Sequence, residues 1–249
     1  MADTPRLDPE LADRVLPQPL LDALRHVFAQ GIGDCMLVGG TALAGFYAGH
    51  RRSDDLDLFT GTATAFRQAV LAVRSLVALG TEMQERSHSN QYYRAVCSSR
   101  ELHFTVDVVL DPHALDVGGT NLAGDVRVAD LPTLLSMKAA TLVSRCSEKD
   151  LYDLLWLFGA FPDRHFADLI ELGREFDGGV NGEALLYSIG SAGLEQEACG
   201  FASDFGTSAA AVFTSIKELQ RELLVALDRH LTTRTKDTLG DVVRRMRRL

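Results

Sequence analysis

Apolar positions in the first half of the chain follow the period of two that is typical of strands. Cys35–Val38 is a short apolar run, as expected for a buried strand. Acidic and apolar residues alternate in Asp55–Phe59, and apolar residues occupy every second position of Leu102–Leu110. The polar stretch Thr81–Ser87 predicts an edge strand, and Tyr92–Cys97 is rich in strand-forming residues. These stretches predict the strands of a sheet.

Elsewhere apolar residues recur at spacings of three and four, the period of a helix with one buried face. The helices predicted in this way are Pro17–Gln30, Ala63–Leu79, Leu131–Arg145, Glu148–Leu157, Pro162–Leu172 and Ala209–Leu231. Pro112 and the polar residues around Gly118–Thr120 predict a loop, and glycine-rich Gly178–Gly200 predicts loops around short helices. The sequence therefore predicts both strands and helices, as in an α/β (α+β) fold.

A glycine pair separates the first strand from its neighbour. Gly39 and Gly40 permit a sharp turn and close approach to a ligand, and Thr41 is a predicted N-cap for a helix over residues 42–48. The N–H groups at such a helix start favour anions. Asp55 and Asp57 then point to one face of the next strand, which suits a Mg²⁺–nucleotide complex. An ordinary turn followed by an exposed edge strand is the alternative interpretation.

This arrangement resembles the first motif of the nucleotidyltransferase superfamily. The motif is a Gly-Gly-Ser/Thr, a spacer and Asp-x-Asp, matched here by Gly39–Thr41, thirteen residues and Asp55–Asp57. The longer string His50–Phe59 resembles the AbiEii/AbiGii toxin family, to which the MenT toxins are similar. The resemblance implies nucleotide binding and metal binding. It assigns Gly39, Gly40, Thr41 and Ser53 to the nucleotide, and the catalytic Asp55 and Asp57 to Mg²⁺ (or Mn²⁺).

A third carboxylate lies in an otherwise apolar strand. Asp107 faces away from Leu102, Phe104, Val106 and Val108, and a partly buried charge needs a partner or a metal. The superfamily has a third catalytic carboxylate on a later strand of the same sheet, so the resemblance implies that Asp107 is the third metal ligand. An ion pair with an arginine, or a hydrogen bond from a backbone amide, is the alternative.

The helices beyond residue 130 carry a second set of family residues. Members of the AbiEii family have a lysine in a helix, then an arginine, then Lys-Asp-x-x-Asp. The matching residues here are Lys138, Arg145, Lys149, Asp150 and Asp153. The resemblance implies that Lys138, Arg145, Lys149 and Asp153 bind the nucleotide and that catalytic Asp150 orients or deprotonates the acceptor. An exposed helix with a Lys149–Asp153 pair is the alternative.

The superfamily resemblance also implies an architecture. It predicts a nucleotidyltransferase-type core with a mixed β-sheet over residues 1–128 and a C-terminal helical lobe over residues 129–249. In that arrangement the two family lysines would lie on helices that close over the nucleotide.

Charge and composition limit the class of protein. The net charge of −9 excludes an overall basic coat, so RNA binding would need a local basic surface. The candidate cations are Arg51, Arg52, Arg244, Arg245, Arg247 and Arg248. Four widely spaced cysteines without a CxxC pair indicate buried thiols and no zinc site. The acidic start of the chain and the lack of a long apolar stretch predict a cytoplasmic protein without a membrane partner.

The expected function is that of a Mg²⁺-dependent nucleotidyltransferase, the toxin of a toxin–antitoxin (abortive infection) pair. It would transfer NMP from an NTP to an acceptor, for which the MenT resemblance suggests the tRNA 3′ end, and a cognate antitoxin would be its partner. Two alternatives stay open. One is a small-molecule or protein nucleotidyltransferase, antibiotic-modifying or AMPylating, and the other is a catalytically silent nucleotide-binding partner protein.

Overall fold

The chain forms two compact units, which we describe separately. The computed structural model describes residues 5–100, 102–233 and 236–246. The first unit is Arg6–Leu134, and the second contains the described residues from Leu135 onward. None of the helices within the described ranges combines the length and the apolar character needed to cross a membrane.

The first unit is built on a mixed sheet. Its strands are β1 (Cys35–Val38), β2 (Asp55–Thr60), β3 (Glu82–His88), β4 (Tyr92–Ser99), β5 (Leu102–Leu110), β6 (Thr120–Ala123) and β7 (Val126–Ala129). Within the described part of the chain these seven strands form one sheet in the order β3-β4-β5-β2-β1-β7-β6. The pairs β2–β5 and β1–β7 are parallel and the others are antiparallel, so the mixed sheet expected from the resemblance is confirmed.

Short helices accompany these strands. They are α1 (Leu11–Val15), α2 (Gln18–Phe28), α3 (Gly39–Leu43), α4 (Ala63–Arg74) and α5 (Pro112–Val117). Helix α3 continues as a π-helical turn over Ala44–Ala48, and α4 ends in a 3₁₀ turn over Ser75–Leu79. The side chain of Thr62 accepts a hydrogen bond from the Ala65 N–H at 3.1 Å and so caps α4, as its sequence predicts.

The two faces of the central strands differ in burial. Leu56 and Leu58 on β2, with Val106 and Val108 on β5, are fully buried on the face against which α4 packs. Complete burial of each of these side chains contributes about 1.5–3 kcal/mol to folding. The alternate residues of both strands are only partly buried. The predicted period of two is therefore confirmed, and it leaves one face of the sheet open for chemistry.

One part of the first unit differs from the sequence-based prediction. Residues 112–129, expected to begin as a loop, form α5 and the hairpin β6–β7. Strand β7 pairs with β1 through Leu37 and Val128, which lie far apart in the chain. The hydroxyl of Tyr47 fixes the same hairpin by donating to the Ala129 carbonyl oxygen at 3.0 Å. Such long-range pairing leaves no local period in the sequence, which is why the hairpin was missed.

The remaining helices are α6 (Leu131–Ser144), α7 (Glu148–Ala160), α8 (Phe166–Phe176), α9 (Gly182–Ser191), α10 (Ala209–Thr233) and α11 (Leu239–Met246), with a 3₁₀ segment at Glu197–Phe205. Helix α8 begins at Phe166, later than the predicted Pro162. The Asp168 carboxylate there accepts a hydrogen bond from the His165 N–H at 3.3 Å, which fixes the new start. The helical character predicted for this part of the chain is confirmed.

The cysteines are free thiols. Cys35, Cys97 and Cys199 are buried, whereas Cys146 is partly exposed. Burial raises the pKa of Cys35 to about 12 and that of Cys97 to about 11. Thiols with such values stay protonated and unreactive near neutral pH.

Candidate active site

A turn between β1 and α3 brings backbone against the first acidic strand. Gly39 has a φ of +70°, and a Cβ atom added there would overlap the carboxylate of Asp57. Val38 pairs with Asp57 in the β1–β2 register, which explains this close approach. Only glycine satisfies both the conformation and the space. The turn therefore lies directly beside the second carboxylate of the Asp-x-Asp motif.

Thr41 has a different local role from the one predicted. Helix α3 begins at Gly39 with Val38 as its N-cap, so the expectation that Thr41 is the N-cap is wrong. Thr41 is buried inside the helix, and its hydroxyl forms hydrogen bonds with the Asp55 carbonyl oxygen and with Ser53 Oγ. These contacts join the glycine turn to the start of β2. Thr41 and Ser53 thus hold the turn and the acidic strand together.

Gly40 makes room for a buried arginine. A Cβ atom at Gly40 would collide with the Arg51 guanidinium and would lie 3.2 Å from Ser53 Oγ. Arg51 is buried and donates from Nη1 to the Arg52 carbonyl oxygen at 2.8 Å. Arg52 is partly exposed and pairs with Asp54 at 2.6 Å. Of the two candidate RNA contacts at this position, Arg51 is therefore committed to the interior.

The three carboxylates lie together on the open face of the sheet. Asp55 and Asp57 alternate with the buried leucines of β2. In the parallel β2–β5 register Asp57 lies opposite Asp107, and Asp55 lies opposite Thr105. Directly opposed residues project to the same face of a sheet. The register therefore brings Asp107 next to Asp55 and Asp57, from which it is about fifty residues away in the sequence.

Hydrogen bonds hold two of these carboxylates. Thr105 Oγ1 donates to Asp55 Oδ1 at 2.5 Å, and the Tyr92 hydroxyl donates to Asp107 Oδ1 at 2.6 Å. Arg94 Nη1 lies 3.8 Å from Asp107 Oδ2. Burial, followed by the hydrogen bond to Asp107, raises the pKa of Tyr92, which therefore stays a donor. The arginine partner that the sequence left open for Asp107 is present.

The three carboxylates have the chemistry of a divalent metal site, although their side chains are not arranged around an ion. As their side chains are arranged, the residues that the structure describes contain no group of three His, Cys, Asp or Glu side chains placed to hold a metal. Asp55, Asp57 and Asp107 nevertheless offer only carboxylate oxygens, which Mg²⁺ and Mn²⁺ prefer. Their shared face and adjoining strands fit such an ion, provided that Asp107 turns from Tyr92 and Arg94.

The second unit contains a buried ionic cluster. Lys138 on α6 is 7 % exposed, and Asp150 and Asp153 on α7 are 1 % and 0 % exposed. Lys138 Nζ lies 2.9 Å from Asp150 Oδ1 and 2.7 Å from Asp153 Oδ2. The alternative of an exposed helix with a Lys149–Asp153 pair is therefore wrong about the exposure of Asp153. The lysine and the two acids of the family motif meet in the interior of this unit.

Two further groups bind Asp150. Its Oδ2 accepts from Ser147 Oγ at 2.6 Å and lies 3.3 Å from Arg145 Nε. Burial alone would raise the pKa of Asp150, but Lys138, Ser147 and Arg145 together bring it below its usual value. The Arg145 side chain is 71 % exposed, and Lys149 is partly exposed. Asp150 is thus held ionised, while Arg145 and Lys149 extend toward solvent.

The basic residues at the end of the chain are paired where the structure describes them. Arg244 lies 2.7 Å from Asp241, and Arg245 lies 2.9 Å from Glu222 and 3.0 Å from Asp237. The predicted contacts Arg247 and Arg248 lie outside the described residues. Tyr92, Arg94 and Thr105 were missed as neighbours of the site, because their positions depend on strand register, which a single sequence does not reveal.

Comparison with solved structures shows a shared fold. A candidate nucleotidyltransferase from H. pylori has a TM-score of 0.52 at 14 % identity and covers 85 % of this chain and 97 % of its own. JHP933 from Helicobacter pylori has a TM-score of 0.50 at 14 % identity and covers 86 % of this chain and 95 % of its own. At this low identity the likeness shows a shared fold.

Sequence comparison is more specific. An uncharacterized protein of Aquifex aeolicus (strain VF5) is 31 % identical over 172 residues, which cover 64 % of this chain and 73 % of the relative. The family model for the nucleotidyl transferase AbiEii toxin of type IV toxin–antitoxin systems matches residues 22–198, more than two thirds of the chain. That match includes both the acidic strands and the Lys138 cluster, and this nucleotidyltransferase therefore belongs to the AbiEii toxin family.

Proposed function

We propose that this chain transfers a nucleoside monophosphate from an NTP to an RNA acceptor, the 3′ end of tRNA, in a Mg²⁺-dependent reaction. The observation that carries the proposal is the open sheet face, where Asp55, Asp57 and Asp107 lie beside the turn at Gly39 and Gly40. In nucleotidyl transfer the acceptor hydroxyl attacks the α-phosphate and pyrophosphate leaves. This chemistry needs carboxylates that bind a metal ion and, beside them, a backbone turn that a triphosphate can approach.

Asp55, Asp57 and Asp107 would hold Mg²⁺ or Mn²⁺ at this face. The bound ion would stabilise the negative charge that develops on the reacting phosphate. Gly39 lets the backbone of the turn lie directly against the Asp57 carboxylate, and Gly40 lets the Arg51 guanidinium lie against the same turn. A triphosphate bound through the carboxylates would therefore lie beside this turn. Thr41 and Ser53 fix that turn against β2 through their hydrogen bonds. These four residues therefore form the nucleotide side of the proposed site.

The family residues of the second unit divide into two roles. Lys138 and its partners Asp150 and Asp153 are buried, so we assign them to positioning α6 against α7. Arg145 and Lys149 extend from this pair of helices and are the residues we assign to the phosphates of the nucleotide. Asp150 is a poor general base, because its pKa is lowered and a base works best near the operating pH. We therefore assign Asp150 to holding Lys138 and Arg145 in position.

Family membership supports a biological setting. The family is one of toxins in type IV toxin–antitoxin systems. A cognate antitoxin and an NTP substrate follow from that membership, and we propose a cytoplasmic site of action because tRNA modification by a toxin takes place where translation occurs. The acceptor remains the part of the proposal that an experiment must decide.

The test compares Asp57, which lies on β2, with Asp54, which lies just before that strand. Purified protein is incubated with each labelled NTP, total tRNA and Mg²⁺. Asp57→Asn should lower the transfer rate by about a hundredfold or more, since the metal contribution is worth several kcal/mol. The matched control is Asp54→Asn, because Asp54 is partly exposed and pairs with Arg52, and it should retain most of the activity. Equal rates for the two variants would contradict the metal assignment.

The same assay decides between acceptors. Transfer that depends on added tRNA and disappears after treatment with ribonuclease supports the RNA acceptor. Incorporation of label into protein or into a small molecule without RNA would favour the antibiotic-modifying or AMPylating alternative. Binding of NTP without any turnover would favour a catalytically silent partner protein.

A further inference from the structure

The acidic face of the sheet continues onto a strand that has no family motif. Arg94 on β4 lies directly opposite Asp107 in the antiparallel β4–β5 register. Its side chain is therefore on the same face as the three carboxylates, and it is 44 % exposed. Tyr92, two residues earlier on β4, faces the same way and donates to Asp107. The open face thus carries a cation next to the acids.

The order of strands gives this face two distinct sides. The glycine turn follows β1, the carboxylates lie on β2 and β5, and Arg94 lies on β4. Neighbouring strands are about 4.8 Å apart, so Arg94 is displaced from β2 by roughly 10 Å, away from the turn. The carboxylates consequently lie between the glycine turn and Arg94. A triphosphate held beside Gly39 and Gly40 leaves the side of Arg94 for the second substrate.

The contacts of Arg94 leave it able to bind a phosphate. Arg94 forms a side-chain hydrogen bond with Tyr92, and its ion pair with Asp107 Oδ2, at 3.8 Å, is longer than a hydrogen bond. These contacts do not use all of its donors. A guanidinium has five N–H donors in a planar fork, which matches a phosphate with two parallel hydrogen bonds. A cation at this point also offsets the charge of three neighbouring carboxylates, which would otherwise repel a polyanion from a chain of net charge −9.

We propose that Arg94 binds the phosphodiester of the acceptor RNA next to its terminal 3′ hydroxyl. This inference rests on the proposed function, since it supplies the acceptor side of the same site. The phosphate chemistry that Arg94 recognises is shared by RNA and by NTP. The strand order assigns Arg94 to the RNA, because the glycine turn, where we place the nucleotide, lies on the other side of the carboxylates.

The test measures both substrates in three variants. Arg94→Gln removes the charge, Arg94→Lys keeps it without the fork, and Arg67→Gln is the matched control. Arg67 is an exposed arginine on α4, which packs against the other face of the sheet. KM for tRNA, KM for NTP and the Mg²⁺ concentration for half-maximal rate are determined at several salt concentrations. Binding of a fluorescently labelled single-stranded RNA is measured in parallel, without NTP or metal.

Arg94→Gln should raise KM for tRNA about tenfold and weaken RNA binding to a similar degree. The slope of log affinity against log salt concentration should become shallower by about 0.7, the contribution of one phosphate contact to single-stranded RNA. Arg94→Lys should keep most of that slope, and Arg67→Gln should change neither quantity. KM for NTP and the Mg²⁺ requirement should stay as in the wild type.

Four results would overturn the inference. A rise in KM for NTP instead of tRNA would assign Arg94 to the triphosphate. A raised Mg²⁺ requirement with unchanged RNA binding would mean that Arg94 only holds Asp107. Unchanged tRNA kinetics in Arg94→Gln, with an active wild type, would show that the acceptor binds elsewhere while the proposed function stands. A wild type that transfers nucleotide only to another acceptor would instead refute the proposed function, and this inference with it.

Discussion

At the scale of single residues, the position of Gly39 combines two requirements that can be separated by experiment. Its φ of +70° disfavours any side chain, and the overlap with Asp57 forbids one. Gly31 has a similar φ of +68° at the end of α2, but a Cβ atom there would meet nothing within 4 Å. The pair therefore isolates the effect of the carboxylate from the effect of the backbone.

Gly31→Ala should lower the free energy of unfolding by about 1–2 kcal/mol, the cost of a left-handed conformation for an L-residue. Gly39→Ala should lower it by more, because the Asp57 side chain must also shift. Gly39→Ala should also abolish nucleotidyl transfer, because the new methyl group displaces the Asp57 carboxylate. Urea denaturation and the labelled-NTP assay measure the two effects. If Gly31→Ala reduced transfer as strongly as Gly39→Ala, displacement of Asp57 would not be the cause.

Lys138 gives a second prediction at this scale. Its removal leaves Asp150 and Asp153 buried without their cation, and breaking a buried ion pair from one side costs about 3–5 kcal/mol. Lys138→Ala should therefore shift the urea midpoint strongly. Lys217→Ala is the control, because Lys217 is exposed on α10 and donates a hydrogen bond to Gln220. This substitution should lower the free energy of unfolding by less than about 0.5 kcal/mol.

If Lys138 instead contacted the nucleotide directly, its removal would affect substrate binding and not stability. In that case Lys138→Ala would raise KM for NTP without changing the urea midpoint. The double measurement thus separates the positioning role from direct contact with substrate.

The pKa of Asp150 predicts a pH dependence of stability. Its folded-state pKa is lowered, so the unfolded chain binds more protons in the acid range and the stabilisation is present above the unfolded pKa of about 3.9. It is lost as the pH falls through the folded pKa. The free energy of unfolding of the wild type should therefore fall more steeply below pH 4 than that of Asp150→Asn, as measured by urea denaturation at several pH values.

Other acidic groups provide the background for that comparison. The backbone hydrogen bond from Thr238, with the bond from Arg244, lowers the pKa of Asp241 to about 2. Both proteins share this contribution, so it cancels in the difference between them. Parallel curves for wild type and Asp150→Asn would show that the Lys138 cluster does not depend on the ionised carboxylate.

At the scale of elements, the sequence predicted what local period and local motif determine. The strands from β1 to β5 and most of the helices have an apolar face that shows as a regular spacing of apolar residues in the sequence. The glycine turn and the Asp-x-Asp that follows it form a local motif. The start of α3 was not predictable, because Thr41 is a favoured N-cap residue whereas Val38, the N-cap in the structure, is a disfavoured one. The hydrogen bonds of Thr41 to β2 are tertiary and override that preference.

The register between strands could not be predicted from the sequence either. The sequence placed Asp107 on the correct face of its strand. It did not show that Asp107 lies opposite Asp57 and Arg94, or that Tyr92 contacts it. The hairpin β6–β7 was missed for the same reason, since its partner β1 lies far away in the chain. For the Lys138 cluster the spacing of the family motif was visible, but the burial of its acids was not.

At the scale of the whole molecule, the net charge of −9 makes the local distribution of cations decisive. Arg244 and Arg245 are already paired with carboxylates, Arg51 is buried and Arg52 pairs with Asp54. Most of the cations that the sequence offered for RNA binding are therefore engaged within the protein. Arg94 differs from them in two respects: its ion pair with Asp107 is longer, at 3.8 Å, and it lies on the same sheet face as the three carboxylates.

The parallel pairing of β2 with β5 has a consequence for a chain whose family consists of toxins. A shift of one residue in that register would turn Asp107 toward the core and expose Val106 and Val108. The carboxylate set and the hydrophobic core are thus completed by the same alignment. If the three carboxylates bind the metal as we propose, a chain in which β2 and β5 are unpaired or misaligned would lack both its core and its activity, so a newly made chain would become toxic only after these strands had paired.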